Sequence, residues 1–362
     1  MTWEDSRVTV SPRHPRTPAA PHTRHARRSA DRPYSHLPPT DHRRTGMRYR
    51  FDPELAAALP LMPEVDITDL DEARAAQAWQ LAAAVAAADT TGVEITEAGA
   101  PGPDGALEVR LRLYRPKGAR GPLPAVYGIH GGGYVLGSPD ADHDWNLMLC
   151  RELAALVVSV DYRLAPEHPF PAPLEDCYAG LCWLVENTAE LDVLPDRIAV
   201  WGDSAGAGLA AGLALLARDR CGPTICFQHL CSPSLDDRLD TPSARRFTDT
   251  PVWNRRNALL SWEAYLGPGR RGAPGVSPYA APARAGAGGL AGLPPAYVSV
   301  MEFDPLRDEG FDYARALLAA GVPAEVHLFP GTFHGAWAVE HAAVIRRATD
   351  EAVAVLRRAL GR

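Results

Sequence analysis

The run from Arg197 to Leu216, RIAVWGDSAGAGLAAGLALL, decides how this chain folds. Arg197-Ile198-Ala199-Val200-Trp201 reads as a buried strand, and Ala207 to Leu216 reads as a helix of small apolar residues. Between them, Gly202-Asp203-Ser204-Ala205-Gly206 fits G-x-S-x-G. A serine on a tight turn between strand and helix is held with its hydroxyl exposed above the sheet, positioned to attack a carbonyl. Gly202 and Gly206 leave room where strand and helix nearly collide. The pattern alone recurs by chance; its flanks make it specific.

A second glycine-rich turn, His130-Gly131-Gly132-Gly133-Tyr134, follows the apolar strand Pro124 to Ile129. Three glycines let the backbone point its N–H groups into a cavity, where they can stabilise a developing oxyanion. A serine hydroxyl is a weak nucleophile at its free pKa and needs a base, itself oriented by an acid. Of the twelve histidines, five lie within residues 1–46, and His130, His143 and His168 precede the serine. His229 and His327 fall in strand-like runs, and His341 falls in an expected C-terminal helix. His334 remains, on the expected loop Pro330 to Gly335 after the strand Ala324 to Phe329. The acid belongs after the preceding strand, Ala296 to Met301. Asp304 stands first at that exit, before Pro305, which fixes a turn. Asp308 and Glu309 suit the first turn of the next helix, where the dipole favours carboxylates, and Asp308 is the alternative acid.

Together HGGGY, Asp161-Tyr162-Arg163-Leu164-Ala165-Pro166-Glu167, GDSAG, DPLRDEG and the late Phe333-His334-Gly335 resemble the hormone-sensitive-lipase-like bacterial carboxylesterases, over roughly residues 50 to 360. The resemblance implies an α/β-hydrolase fold: a mainly parallel eight-stranded sheet with helices on both faces and a helical cap. It implies Ser204 as nucleophile, His334 as base and Asp304 as its orienter, with backbone N–H groups of Gly132, Gly133 and Ala205 as the oxyanion hole. The substrate class implied is a small-molecule ester, cleaved without cofactor or metal, and the aromatic-rich expected cap suits a closed pocket for short to medium acyl chains. Members of that family are often homodimers. One departure is Ala207, where the family often carries a further glycine; alanine is small and helix-favouring. Two other readings stay open. An amidase or formamidase would use the same triad, and a ligand receptor could reuse the scaffold, although such receptors usually lose a triad member.

Composition narrows the class further. The 362 residues carry a net charge of −7, which argues against a nucleic-acid partner. No apolar run reaches the 18 residues that a membrane-spanning helix needs. Lys117 is the single lysine beside 36 arginines, a compositional bias of the genome. Residues 1–46 hold nine Arg against four acidic residues, with seven Pro and little apolar periodicity. Such a segment cannot bury enough apolar surface to order itself. The pairs Arg27-Arg28 and Arg43-Arg44 precede no apolar stretch, so no export signal is expected and a cytoplasmic location follows. A basic arm for anionic partners is the alternative reading of this tail, and Met47 is an alternative translation start. The six cysteines form no C-x-x-C pair, so buried reduced thiols are expected rather than a metal site.

Along the rest of the chain, Gly92 to Ile95 and Leu107 to Tyr114 read as an antiparallel pair, and strands then alternate with helices. Alternation of this kind implies a mainly parallel sheet, with functional residues at the carboxyl ends of its strands. Residues 50–88 and 234–285 interrupt the pattern and are expected to form the cap within a domain spanning 47–362. Asp161, Arg163 and Glu167 read as a structural turn network. Deleting residues 1–46 is expected to leave the melting temperature and ester hydrolysis unchanged, because the tail has nothing with which to dock. A fall of several degrees in a thermal melt would contradict this.

Overall fold

Buried apolar strands with a side-chain period of two build the centre of the molecule. The computed structural model describes residues 49–62, 65–105 and 107–361, so the expectations for residues 1–46 and for Met47 lie outside the described residues. The strands are β1 (Val93–Ala100), β2 (Val109–Pro116), β3 (Leu123–Ile129), β4 (Leu156–Asp161), β5 (Val193–Asp203), β6 (Phe227–Cys231), β7 (Ala296–Phe303) and β8 (Ala324–Phe333). The helices are α1 (Pro53–Ala58), α2 (Leu70–Ala87), α3 (His143–Leu153), α4 (Ala172–Glu186), α5 (Ala205–Asp219), α6 (Pro242–Arg246), α7 (Arg255–Leu266), α8 (Gly286–Leu290), α9 (Arg307–Ala319) and α10 (Ala343–Ala359).

The described strands form one eight-stranded sheet in the order β1-β2-β4-β3-β5-β6-β7-β8. β2 runs antiparallel to β1 and β4, and every other pairing is parallel. Both faces are covered, as parallel strands require. Ala125, Tyr127 and Ile129 of β3 join a core with α4, α5 and α9, while Val126 between them joins the core with α3 and α10.

The structure extends β8 beyond the expected strand end at Phe329. Pro330 and Gly331 read as breakers in sequence, yet the pairing with β7 resumes at Phe303 and Phe333 after an irregularity. Side chains bridge that irregularity. Gly331 N–H donates to the Glu302 carboxylate at 2.7 Å, and Glu302 N–H donates to Thr332 Oγ1 at 3.2 Å. β8 is an edge strand, where a proline's missing N–H costs no ladder bond. His341 also departs from expectation: it lies in the turn before α10, which begins at Ala343. Cys221 is exposed just beyond α5, unlike the buried Cys150, Cys177 and Cys231, and all six thiols are free.

The DYRLAPE stretch ties these layers together. Asp161 pairs with Arg110, Arg163 with Asp176, and Glu167 with Arg74 of α2. Tyr162 Oη donates to the His130 carbonyl at 2.9 Å and stacks on the His130 ring. Arg74 also donates to the carbonyls of Val135 and Ala165, fastening α2 over the glycine-rich turn. Arg163 binds Asp176 through two nitrogens at 2.7 and 2.8 Å and through its own backbone N–H at 2.9 Å. The Asp176 side chain is 1% exposed. Asp176→Ala strands those donors and is expected to cost about 2–4 kcal/mol of stability by denaturant titration. A loss below about 0.5 kcal/mol, the usual range of a surface change, would show that the network is dispensable.

Candidate active site

The turn from β5 into α5 carries Ser204 in a left-handed backbone conformation, φ 55° and ψ −116°, rare for a residue with a side chain. Neighbouring backbone holds it there. Ser204 N–H donates to the Cys231 carbonyl at 2.8 Å, and its carbonyl accepts from Gly208 and Ser234 at 3.1 and 3.0 Å. A Cβ on Gly206 would overlap the carbonyl oxygens of Ile129 and His130, which explains the small residue there.

His334 directly follows β8, and Asp304 follows β7. His334 Nε2 lies 2.9 Å from Ser204 Oγ, and His334 Nδ1 lies 2.7 Å from Asp304 Oδ2. Ser204, Asp304 and His334 are 4%, 0% and 5% exposed, so the relay is shielded from bulk water. Asp304 Oδ1 accepts from Leu306 N–H at 2.8 Å, which holds the carboxylate across Pro305. Asp308 is not brought to the imidazole. It accepts from Ser243 N–H at 2.8 Å and pairs with Arg307. Burial pushes the His334 imidazole toward the neutral form, but the Asp304 carboxylate prevails and holds its pKa above the ordinary histidine value. Such a relay can take the proton from a serine hydroxyl and stabilise the imidazolium that results.

Gly132 and Gly133, at φ 117° and 60°, line a cavity of about 560 Å³ together with Ser204 and His334. Ala205 opens α5 beside Ser204. The N–H groups of Gly132, Gly133 and Ala205 donate to no acceptor among the described residues. Buried His130, pushed down to about 4 by desolvation, is neutral at pH 7 and holds the Gly131 carbonyl at 2.8 Å. The opposite wall comes from α2, including Ala73, Ala76 and Gln77, and from Val252 and Trp253. The Trp253 ring centroid lies 5.9 Å from that of His334. Sequence reasoning placed Trp253 and Gln77 in the expected cap segments and missed Asp203 as a lining residue. An aromatic in a loop and polar residues on a helix carry no local signal of what they face, but Asp203 could have been marked by its place beside Ser204. Burial first, with Asp304 adding to it and His334 opposing it, pushes the Asp203 carboxyl up to about 6. Among the described residues, no group of three or more His, Cys, Asp or Glu side chains is arranged to hold a metal ion.

The family model described as alpha/beta hydrolase fold matches residues 126–338. The carboxylesterase NlhH of Mycobacterium tuberculosis is 42% identical over 270 residues, covering 72% of this chain and 81% of that one. The solved structure of a bacterial heroin esterase is similar with a TM-score of 0.84 at 49% identity, over 86% of this chain and 98% of the other. The esterase LipW of Mycobacterium marinum gives a TM-score of 0.78 at 39% identity, over 86% and 96%.

The His334 ring is expected to titrate above the ordinary histidine midpoint when followed by NMR. Asp304→Asn is expected to lower that midpoint, and Asp308→Asn to leave it in place. A midpoint that Asp304→Asn does not move would break the assignment of the pair.

Proposed function

This chain belongs to the alpha/beta-hydrolase family, in its hormone-sensitive-lipase-like branch, and from that premise we propose that it is a serine carboxylesterase working through Ser204, His334 and Asp304. The observation that carries this reading is the unbroken chain from Ser204 Oγ to His334 Nε2 at 2.9 Å and from His334 Nδ1 to Asp304 at 2.7 Å, on a strained strand-to-helix turn. Ser204 attacks the ester carbonyl as His334 takes its proton. The oxyanion is held by the free N–H groups of Gly132, Gly133 and Ala205. The imidazolium protonates the departing alcohol, and water then cleaves the acyl-enzyme by the same route. No step calls for a cofactor or metal.

Residues 50–88 and 234–285 act as a cap on the 47–362 domain. The cavity wall that they form beside Ser204 supports this role, which is to keep water from the acyl-enzyme and to limit substrate size. Short to medium acyl chains are the substrates, each added methylene contributing about 0.8 kcal/mol until the cavity is full. The relatives named as esterases support small esters as the class. No helix among the described residues is long and apolar enough to cross a membrane. A cytoplasmic location rests on the sequence reading of residues 1–46, and a homodimer rests on the family resemblance and is readable by sedimentation.

The test is a series of p-nitrophenyl esters from acetate to palmitate, run on the wild type and on Ser204→Ala. kcat/KM is expected to rise with chain length and then fall, and Ser204→Ala to lose roughly 10⁴-fold or more. Asp304→Asn is expected to lose roughly 10³ to 10⁴-fold, far more than Asp308→Asn. The neutral imidazole is the base, so kcat/KM should rise with pH through the raised His334 midpoint and fall below it. Activity of Ser204→Ala within tenfold of wild type would sink the mechanism.

A further inference from the structure

Between α6 and α7 the chain makes a tight turn of three residues. Trp253 N–H donates to the Pro251 carbonyl at 2.7 Å. Val252 between them stands at φ 62°, a left-handed conformation that a β-branched side chain rarely adopts and that strains a turn this short. Thr250 Oγ1 closes it by donating to the Trp253 carbonyl at 2.7 Å. Strain of this kind persists only where the surroundings over-determine it. Here the surroundings are the two loops that carry the chemistry. A Cβ on Gly335, next to the base, would lie 2.8 Å from Val252 Cγ1. A Cβ on Gly133, in the oxyanion turn, would lie 2.5 Å from Trp253 Cη2 and 3.2 Å from its Cζ2. The Trp253 ring also stands 5.9 Å from that of His334, centroid to centroid. One cap turn therefore presses an indole edge against the oxyanion turn and beside the base.

An ester carbonyl held by Gly132 and Gly133 and attacked by Ser204 Oγ brings its two substituents into this space. The cavity lining divides in character. Trp253 and Leu136 are buried and apolar, whereas Asp66, Asp69 and Glu72 are exposed and acidic. The alcohol half departs before water attacks, so it needs the side open to solvent, while the acyl half stays bonded to Ser204 against the buried side. We propose that Trp253 is the specificity-determining residue for the acyl half: its indole edge fills the space beside the acyl α-carbon and excludes acyl groups branched at that carbon. The proposal rests on the reading of Ser204 as the nucleophile of a carboxylesterase.

The test compares kcat/KM for p-nitrophenyl butanoate and p-nitrophenyl 2,2-dimethylpropanoate, each divided by the rate of the same ester with hydroxide to remove intrinsic reactivity. Wild type is expected to prefer the linear acyl group by roughly 100-fold after that correction, since a single ill-fitting methyl group costs roughly tenfold or more. Trp253→Ala is expected to bring the ratio down by roughly tenfold or more on the same scale. Trp253→Phe lacks the Cη2 and Cζ2 atoms nearest Gly133 but keeps a ring in place, and its ratio is expected to fall between the two. It also supplies the reading if the alanine variant does not fold. Propyl acetate and 2-propyl acetate branch the alcohol half instead, and their ratio is expected to stay at the wild-type value in both variants. An acyl ratio that neither substitution moves, even where every ester slows alike, would overturn the proposal. So would an alcohol ratio that moves as far as the acyl ratio. Retained p-nitrophenyl acetate turnover in Ser204→Ala would instead remove the nucleophile assignment on which the proposal rests.

Discussion

The close crossing of α5 over the carboxyl end of β3 is the constraint on which the rest of the site depends. Gly206 passes so near the Ile129 and His130 carbonyls that no side chain fits between them. That approach sets where α5 begins, and therefore forces Ser204 into its left-handed conformation. The strain is carried by bonds from both sides: Cys231 at the end of β6, Ser234 just beyond it, and Gly208 within α5. The nucleophile is thus positioned by sheet packing, and its hydroxyl has little freedom left to lose.

Electrostatics follows from the same packing. Asp203, Asp304 and His334 sit at the carboxyl ends of β5, β7 and β8, where burial strengthens every charge interaction. Asp304 is compensated by the imidazole and by Leu306 N–H. Burial first, and Asp304 with it, pushes the Asp203 carboxyl up to about 6, although the same imidazole and the Ser204 backbone oppose the shift. Of the two carboxyls, Asp304 is the one that hydrogen-bonds the imidazole.

Much of this was legible from local patterns. The strand–turn–helix context marks the place of Ser204, and strand exits mark Asp304 and His334, because chain order and period-two burial are local signals. Asp304 was separable from Asp308 because Pro305 fixes a turn between the strand exit and the next helix. The full length of β8 was not legible. Pro330 and Gly331 read as breakers, whereas Glu302 and Thr332 bridge the irregularity from across the sheet. Nor was the meeting of the Trp145 and Trp337 rings visible, 192 positions apart in the chain. The Arg74 fastening of α2 to Ala165 and Glu167 joins residues more than 90 positions apart. Such partners are chosen by tertiary geometry, which no single window of sequence contains.

Asp203 lines two cavities, the one beside Ser204 and another, of about 690 Å³, bounded by α3 and Trp337. A change that moves this carboxyl to widen one chamber reshapes the other, so effects measured chamber by chamber do not add. A library aimed at either lining would therefore vary both together around this residue.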